Sequence, residues 1–325
     1  MEGMRGTPHS MPLSVPCFAP PRLITNGHVQ TILGALVPQP AVTWQRERLE
    51  LADGDFLDLD WWRAGHPRLA VLSHGLEGSS QAGYIRGVAT ALHRAGWDVL
   101  AWNMRNCGGE PNRLARSYHS GVSDDLRTVV THAAKSYESL GLIGFSLGGN
   151  VTLKYLGEAL PHPAVRGAAC LSVPVDLRSS ADALDQHLEN RIYLRRFLAT
   201  MVAGAKAKAV RFPKHFNLAL LRKVRTLREF DEHVTAPLHG FAGAEDYWAR
   251  CNARQFLPRI NVPTLLINAW NDSFLTKLSM PFEEAEASRV FTFEAPASGG
   301  HVGFREGLAG PPWHERRMVE FLSSV

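Results

Sequence analysis

The sequence has no apolar run that approaches the ~18 residues expected of a membrane-spanning helix. Its first 22 residues also lack a continuous apolar segment after a basic start, so we do not expect a secretory signal. Cysteine is scarce, and the four cysteines form no Cys-x-x-Cys pair: Cys17, Cys107, Cys170 and Cys251. Such scatter favours a reducing compartment over a disulfide framework or a zinc site. We therefore predict a cytoplasmic protein that needs neither a metal nor a cofactor.

A large excess of one charge is missing as well, because the formal net charge is only +4. The distribution is nevertheless uneven, since residues 177–256 hold 14 Lys and Arg against 8 Asp and Glu, and the rest of the chain holds 21 against 23. A solvated helical surface explains this excess, and the alternative is a surface that approaches anionic lipid or an acidic substrate. No basic tail or nucleic-acid motif accompanies it, so a nucleic-acid partner is not expected. Weak peripheral membrane contact through this basic segment stays an open alternative.

The stretch LGLIGFSLGGN at residues 140–150 is the most informative part of the chain. It has the pattern of a short apolar strand, a Gly-x-Ser-x-Gly turn around Ser146, and the start of a helix. Because such a turn strains the backbone at the serine, its flanking positions need residues without side chains, which Gly144 and Gly148 supply. An ordinary glycine-rich turn is the alternative, but the strand and helix on either side favour a nucleophilic serine.

The order of the predicted elements indicates an α/β fold. Alternating residues over 44–62 predict an edge hairpin, and buried strands follow at 69–73, 97–102 and 140–145, with a sixth at 165–173. Amphipathic helices separate these strands, an alternation typical of a mostly parallel sheet with helices on both faces. The sheet resumes at residues 262–268 and 289–294, and a helix from about Trp313 to Leu322 ends the fold.

The alternation stops after Asp176, where about eighty residues show helical periodicity and no clear strand. We interpret residues 177–256 as a helical lid inserted after the sixth strand. The predicted domains are then a Pro-rich lead-in with a short helix over residues 1–40, a hydrolase-like core over 41–176 and 257–325, and the lid.

Two further residues follow the resumed strands in the order expected of an α/β-hydrolase, which is serine, acid, histidine. Asp272 comes after the strand at 262–268, and His301 comes after the strand at 289–294. Both loops should leave the same sheet edge as Ser146. We predict that His301 takes the proton from Ser146 and that Asp272 orients the imidazole and stabilises its charged form.

An oxyanion hole needs two backbone N–H donors near the nucleophile. The sequence predicts that one comes from Leu147, directly after Ser146, and the other from Leu76, in the loop after the strand at 69–73. His74 in the same loop is expected to be structural, because His301 already supplies the base.

These motifs together resemble the YheT-like esterases of the α/β-hydrolase superfamily (alpha/beta hydrolase type 4). The matching segments span nearly the whole chain and lie at residues 26–31, 74–78, 103–112, 118–121, 144–150, 271–274 and 299–304. The family often has glycine where this chain has Asn106. The resemblance implies a serine carboxylesterase or lipase acting on acyl esters, with Ser146, Asp272 and His301 as the catalytic triad.

Some alternatives stay open at this stage. Acyl transfer to an alcohol uses the same triad as hydrolysis, and a non-catalytic binding protein on the same scaffold is the third class. His119 and Asp124 fit a His-x-x-x-x-Asp pattern linked to acyltransferases, although Asp124 is also explained as a first-turn helix residue. His28, near a predicted helix start, is interpreted as a capping or packing residue.

Overall fold

The computed structural model describes residues 18–325. The first 17 residues of the predicted Pro-rich lead-in, including Cys17, lie outside the described residues. Phe18 is buried and its ring packs against Phe304 and Trp313 at centroid distances of 5.5 and 5.4 Å. Burial of this aromatic ring anchors the chain at residue 18, within the predicted lead-in.

Eight strands form one sheet. In chain order they are β1 Gln45–Glu50, β2 Phe56–Trp62, β3 Arg68–Ser73, β4 Asp98–Asn103, β5 Ser139–Phe145, β6 Val165–Leu171, β7 Thr264–Ile267 and β8 Phe291–Glu294. Their spatial order is β1-β2-β4-β3-β5-β6-β7-β8. The predicted hairpin is present, because β1 and β2 are antiparallel at one edge, and every pair from β4–β3 to β7–β8 is parallel.

Twelve α-helices lie within the described residues. They are α1 Gly27–Leu36, α2 Gly83–Arg94, α3 Ser123–Ala133, α4 Leu147–Glu158, α5 Leu177–Gln186, α6 Arg191–Arg211, α7 Leu218–Leu221, α8 Leu227–Phe230, α9 Ala236–His239, α10 Ala244–Cys251, α11 Phe282–Glu286 and α12 Trp313–Ser323. None of the helices in residues 18–325 combines the length and apolar character needed to cross a bilayer.

The sheet is buried on both faces, as its continuous apolar strands predict. Side chains from α3 and α4, such as Val129 and Val151, pack on one face, and side chains from α2 and α12, such as Val88 and Met318, pack on the other. The predicted fold class, a mostly parallel sheet with flanking helices, is confirmed.

The chain between β6 and β7 is helical and contains α5 to α10. These helices bury a hydrophobic cluster of their own, which also includes Phe274 from the loop after β7. Residues 177–256 therefore pack beside the carboxyl ends of the strands, where the loops carrying Ser146, Asp272 and His301 begin.

Candidate active site

Ser146 stands in the turn between β5 and α4 with a strained backbone. Its φ and ψ are 50° and −119°, a conformation that L side chains rarely adopt. A Cβ at Gly144 would lie 2.6 Å from Cα of Gly149, and one at Gly148 would lie 2.3 Å from the carbonyl oxygen of His74. Real Cβ atoms do not approach so closely. These glycines therefore allow the turn to pack against helix α4 and against residues 74–78 after β3, which are called the oxyanion loop below.

Three predicted site residues meet in one hydrogen-bonded chain. Nδ1 of His301 lies 2.8 Å from Oδ2 of Asp272, and its Nε2 lies 3.0 Å from Oγ of Ser146. Asp272 is only 2% exposed, and its Oδ1 accepts the N–H of Phe274 at 3.0 Å. With a carboxylate on Nδ1, the neutral imidazole carries its proton there and presents Nε2 as an acceptor to the serine hydroxyl.

The two predicted oxyanion donors belong to segments that lie next to Ser146. Leu147 is the first residue of α4, so its N–H has no acceptor within the helix. The loop carrying Leu76 approaches the serine closely, since a Cβ at Gly75 would lie 3.3 Å from Cβ of Ser146. Among residues 18–325, neither the N–H of Leu76 nor that of Leu147 donates a backbone or side-chain hydrogen bond.

Two tyrosine hydroxyls hold the oxyanion loop on either side of Leu76. The N–H of Gly75 donates to the hydroxyl of Tyr84 at 2.9 Å, and the N–H of Glu77 donates to that of Tyr118 at 2.8 Å. Burial raises the pKa of Tyr84 to about 12, so this hydroxyl stays neutral. Of the N–H groups of Gly75, Leu76 and Glu77, only that of Leu76 is therefore free to face a ligand. The motif at residues 118–121 contains Tyr118, but nothing in the sequence indicated that the hydroxyl of Tyr84 or Tyr118 accepts a backbone N–H of this loop.

His74 supports the same loop and is structural, as expected. It is buried, its Nδ1 donates to the carbonyl oxygen of Gly75 at 2.8 Å, and its Nε2 accepts the N–H of Met104 at 3.1 Å. Burial lowers the pKa of His74 to about 4, so the ring is neutral at pH 7.

Helix α1 holds the loop that carries His301, a role that the sequence did not reveal. Thr31 accepts the backbone N–H of His301 through Oγ1 at 2.9 Å. The fully buried amide of Gln30 donates to the carbonyl oxygen of Arg305 at 3.0 Å and accepts its N–H at 2.6 Å. A Cβ at Gly300 would lie 2.2 Å from the carbonyl oxygen of Gly27. The motif at residues 26–31 was the available signal, but its partners are about 270 residues away.

The His301 loop is strained next to these contacts. Val302 and Phe304 have φ of 60° and 45°, and Ser172 at the end of β6 has φ of 52°. A β-branched residue rarely has a positive φ, so Val302 is a true outlier. Its N–H donates to Oγ of Ser172 at 3.0 Å, which helps to hold this conformation.

The ring of Phe274, from the loop after β7, covers the imidazole and is itself packed against α6. The ring of Phe274 lies 4.3 Å from that of His301, and Tyr193 of α6 packs on Phe274 at 4.9 Å. Nδ1 of His28 lies 3.2 Å from the hydroxyl of Tyr193. His28 therefore joins α1 to α6 as a packing residue, in agreement with its interpretation from the sequence.

The His-x-x-x-x-Asp pair is divided between two environments. His119 is packed against the ring of His239 at 4.4 Å and beside Tyr247 at 5.7 Å, and burial lowers its pKa well below the usual range. Asp124 instead pairs with Arg116 at 2.6 Å. No hydrogen bond joins His119 to Asp124 in the described chain, so the structural interpretation accounts for both residues.

One group within residues 18–325 has metal-ligand composition: His66, His93 and Asp98, whose ligand atoms lie within 4.8 Å of one another. It sits at the amino ends of β3 and β4, the sheet edge opposite Ser146. Asp98 already accepts the N–H of Ala64 at 2.7 Å and the hydroxyl of Tyr137 at 2.8 Å. These bonds explain its burial without an ion.

This fold and the arrangement at its carboxyl edge define an α/β hydrolase. A family model described as alpha/beta hydrolase fold matches residues 71–307, and the chain belongs to that family. It is 36% identical over 321 residues to "Putative esterase YheT" of Escherichia coli (strain K12), with 94% of this chain and 93% of that protein covered. The chain is thus a YheT-like α/β hydrolase, and the resemblance predicted from its motifs is confirmed.

More distant relatives share the fold. The chain is 27% identical to "Phospholipase ABHD3" of Homo sapiens, with 87% of this chain and 72% of that protein covered. It is also 27% identical to "Monoacylglycerol lipase" of Saccharomyces cerevisiae (strain ATCC 204508 / S288c), covering 79% and 59%. The solved Pyrococcus furiosus esterase Pf2001 superimposes with a TM-score of 0.60 at 18% identity, covering 89% of this chain and 97% of that one.

Proposed function

We propose that this protein is a serine carboxylic-ester hydrolase that works through an acyl-enzyme on Ser146. The observation that carries the proposal is the continuous chain from Ser146 through His301 to Asp272, with contacts of 3.0 and 2.8 Å. The relatives named as an esterase, a phospholipase and a monoacylglycerol lipase support acyl esters as the substrate class.

The first half of the reaction forms the acyl-enzyme. Oγ of Ser146 attacks the ester carbonyl carbon while Nε2 of His301 takes the hydroxyl proton. The carbonyl oxygen becomes an oxyanion that accepts hydrogen bonds from the N–H groups of Leu76 and Leu147. Collapse of this intermediate breaks the ester C–O bond, and His301 gives its proton to the departing alcohol.

The second half returns the enzyme to its starting state. Water attacks the acyl carbon, His301 takes a proton from the water, and the carboxylic acid leaves as Ser146 regains its proton. Asp272 stabilises the imidazolium in both halves. Every proton and charge in this scheme is held by a named group of the chain, so it calls for no metal or cofactor.

We further propose that residues 177–256 act as a lid over a core formed by residues 41–176 and 257–325, with residues 1–40 leading in. The packing of Tyr193 on Phe274, above the ring of His301, supports this division. Rates measured with p-nitrophenyl esters from acetyl to octanoyl test whether this lid binds the acyl chain, because such a lid predicts a preference for the longer esters. A steady fall towards octanoyl would contradict it.

A fluorophosphonate probe tests the nucleophile. The wild-type protein should be labelled, and Ser146→Ala should lose both labelling and ester hydrolysis, because no other group accepts the phosphonyl or acyl group. Ser136→Ala is the matched control, since Ser136 is exposed and lies before β5 at the opposite sheet edge. Equal labelling of Ser146→Ala and wild type would exclude this assignment.

Acyl transfer to an alcohol is the second candidate. The aromatic cover leaves the side chain of His301 only 12% exposed, which restricts how water reaches the acyl-enzyme. An ester supplied together with a short-chain alcohol distinguishes the two reactions. Formation of the new ester supports transfer, and release of the free acid alone supports hydrolysis.

A further inference from the structure

Helix α6 carries positive charge without any acidic residue. Over Arg191–Arg211 it contains six Lys and Arg and no Asp or Glu. Its inward side packs into the hydrophobic cluster of the 177–256 segment through Leu194, Leu198, Ala205 and Ala209. On the other side of the helix, the side chains of Ile192, Arg195, Arg196, Lys206 and Val210 are exposed to solvent.

That outer side is amphipathic in its own right. At about 100° per residue, Ile192, Ala199, Ala203 and Val210 fall on one stripe along the helix. Ile192 is 70% exposed and Val210 is 81% exposed, which is unusual for large aliphatic side chains. Arg195 and Lys206 flank the stripe on one side, and Arg196 flanks it on the other. An exposed apolar stripe between cations is typical of a helix that lies in a membrane interface.

The described part of the chain offers these cations no ion-pair partner. The ion pairs of the 177–256 segment involve other arginines, namely Arg178, Arg228, Arg250 and Arg254. Within residues 18–325, no carboxylate lies at ion-pair distance from Arg191, Arg195, Arg196 or Lys206. Their charge is therefore available to an external anion.

A groove next to α6 repeats the same chemistry. It has a volume of about 680 Å³ and lies between α6 and the chain at residues 221–225. Its floor contains apolar side chains such as Leu198, Val202 and Val224, and its rim contains five cations: Arg191, Arg195, Lys206, Arg222 and Arg225. No acidic residue lines it. Apolar floor and cationic rim together match an amphiphile with an anionic head.

We propose that this face of α6, with the adjoining groove, docks onto an anionic lipid surface. The cations approach the anionic headgroups, and Ile192 and Val210 enter the boundary between headgroups and acyl chains. The exposed apolar stripe distinguishes this face from a nucleic-acid site, which would place polar and cationic groups against phosphates.

The docking face is directly connected to the candidate active site. Tyr193 follows Ile192 in α6 and packs on Phe274, whose ring lies 4.3 Å from that of His301. A lipid surface on α6 would therefore contact the helix that covers the imidazole. The docking itself does not depend on ester hydrolysis, and Ser146→Ala should bind the surface as wild type does.

Co-sedimentation with vesicles tests the proposal with the full chain. Wild type should pellet with phosphatidylcholine vesicles that contain phosphatidylglycerol and stay in solution with pure phosphatidylcholine. Binding should weaken in about 1 M salt, where the Debye length is only about 3 Å. The variant Arg195→Glu/Arg196→Glu/Lys206→Glu should lower the partition coefficient by more than about 100-fold, because each of the three cations near such a surface contributes about fivefold.

A matched control changes the same charge elsewhere. Lys135, Arg166 and Arg289 are exposed and lie before or at the start of β5, β6 and β8, at the opposite edge of the sheet. Lys135→Glu/Arg166→Glu/Arg289→Glu should still bind, and an unchanged thermal unfolding midpoint shows that each variant is folded. The proposal is overturned if both triple variants bind equally, or if wild type prefers a labelled oligonucleotide to the vesicles. The proposal is also overturned if light scattering shows a dimer that the α6 substitutions dissociate. In that case a second copy of this chain, and not a lipid surface, covers this face of α6.

Discussion

Asp272 shows how closely one side chain is fixed by its neighbours. It lies almost completely inside the protein, with one carboxylate oxygen on Nδ1 of His301 and the other on the N–H of Phe274. This arrangement sets the tautomer of the imidazole as well as its position. A substitution that keeps the shape of this side chain but removes its carboxylate therefore tests the tautomer of His301 separately from its position.

We expect Asp272→Asn to reduce kcat for a p-nitrophenyl ester by about 10⁴-fold. The asparagine amide fills the same space but can present an N–H to Nδ1, which moves the imidazole proton to Nε2 and removes the acceptor for the serine proton. Steady-state kinetics and the rate of fluorophosphonate labelling measure the loss. A reduction below about tenfold would mean that another group orients His301.

Glu315 is a residue outside the site whose charge destabilises the fold. It is 4% exposed, and its Oε1 has no hydrogen-bond partner in the described part of the chain. Burial raises its pKa to about 7, and the charge of Arg305 opposes this shift only in part. The folded protein therefore holds a proton on Glu315 at pH values at which the unfolded chain has released it.

The sign of the pH dependence follows from this difference. Below about pH 4.5 Glu315 is protonated in both the folded protein and the unfolded chain, so it does not reduce the free energy of unfolding. As pH rises towards 7, the free energy of unfolding falls because the unfolded chain releases this proton and the folded protein keeps it. Glu315→Gln should match wild type near pH 4.5 and be more stable by about 2–3 kcal/mol near pH 8. Urea unfolding at both pH values measures this, and an equal difference at the two values would show that the residue's charge is not responsible.

At the scale of helices and strands, α1 is the element whose role is hardest to predict from its own residues. Its Thr31 hydroxyl accepts the His301 N–H and donates to the carbonyl oxygen of Gly27 at 2.8 Å. Because the acceptor of the His301 N–H comes from another element, small movements of α1 move the imidazole relative to Ser146.

Thr31→Val should therefore lower kcat by about 10- to 100-fold with little change in KM, because small displacements of reacting groups have effects of that order. Thr31→Ser keeps the hydroxyl and should restore most of the rate. Ile32→Ser is the control on the same helix, since Ile32 is 43% exposed. Equal kcat in Thr31→Val and Thr31→Ser would show that the hydroxyl does not position the loop.

The elements differ in how far local sequence determines them. The turn at Ser146 and the positions of Asp272 and His301 after successive strands were predictable, because strand, glycine and chain order are local signals. The π-helix at Asp231–Thr235 was not predictable, since no periodicity in the sequence signals it.

Hydrogen bonds from side chain to backbone explain the other omissions at the site. Tyr84 and Tyr118 each accept one backbone N–H of the oxyanion loop, and Gln30 makes two hydrogen bonds to the backbone of Arg305. The sequence does not reveal such partners, because a backbone group can belong to any residue type.

At the scale of the whole molecule, Lys208 joins the 177–256 segment to the chain between β4 and α3. The side chain is buried, and its ammonium donates to the carbonyl oxygens of Leu114 at 2.8 Å, Ala115 at 3.1 Å and Arg116 at 2.5 Å. These carbonyls belong to the loop after β4. One cation therefore connects α6 to this loop.

Lys208→Met should lower the free energy of unfolding by about 2–3 kcal/mol, because three backbone oxygens lose their charged donor. Faster amide exchange should appear in α6 and in residues 114–116 together. Lys206→Met is the control, since Lys206 is exposed two residues away on the same helix. If both variants unfold at the same denaturant concentration, the ammonium contributes nothing to the junction.

The hydrogen bonds between α1 and the His301 loop also have a consequence for the synthesis of the protein on the ribosome. Gln30 and Arg305 are 275 residues apart. At about 5–20 residues per second, the ribosome releases them about 14–55 s apart. Helix α1 is therefore synthesised well before its partner loop, and Ser146 well before His301. We expect the nascent chain to be inert towards the cell's esters until residues 299–305 have emerged.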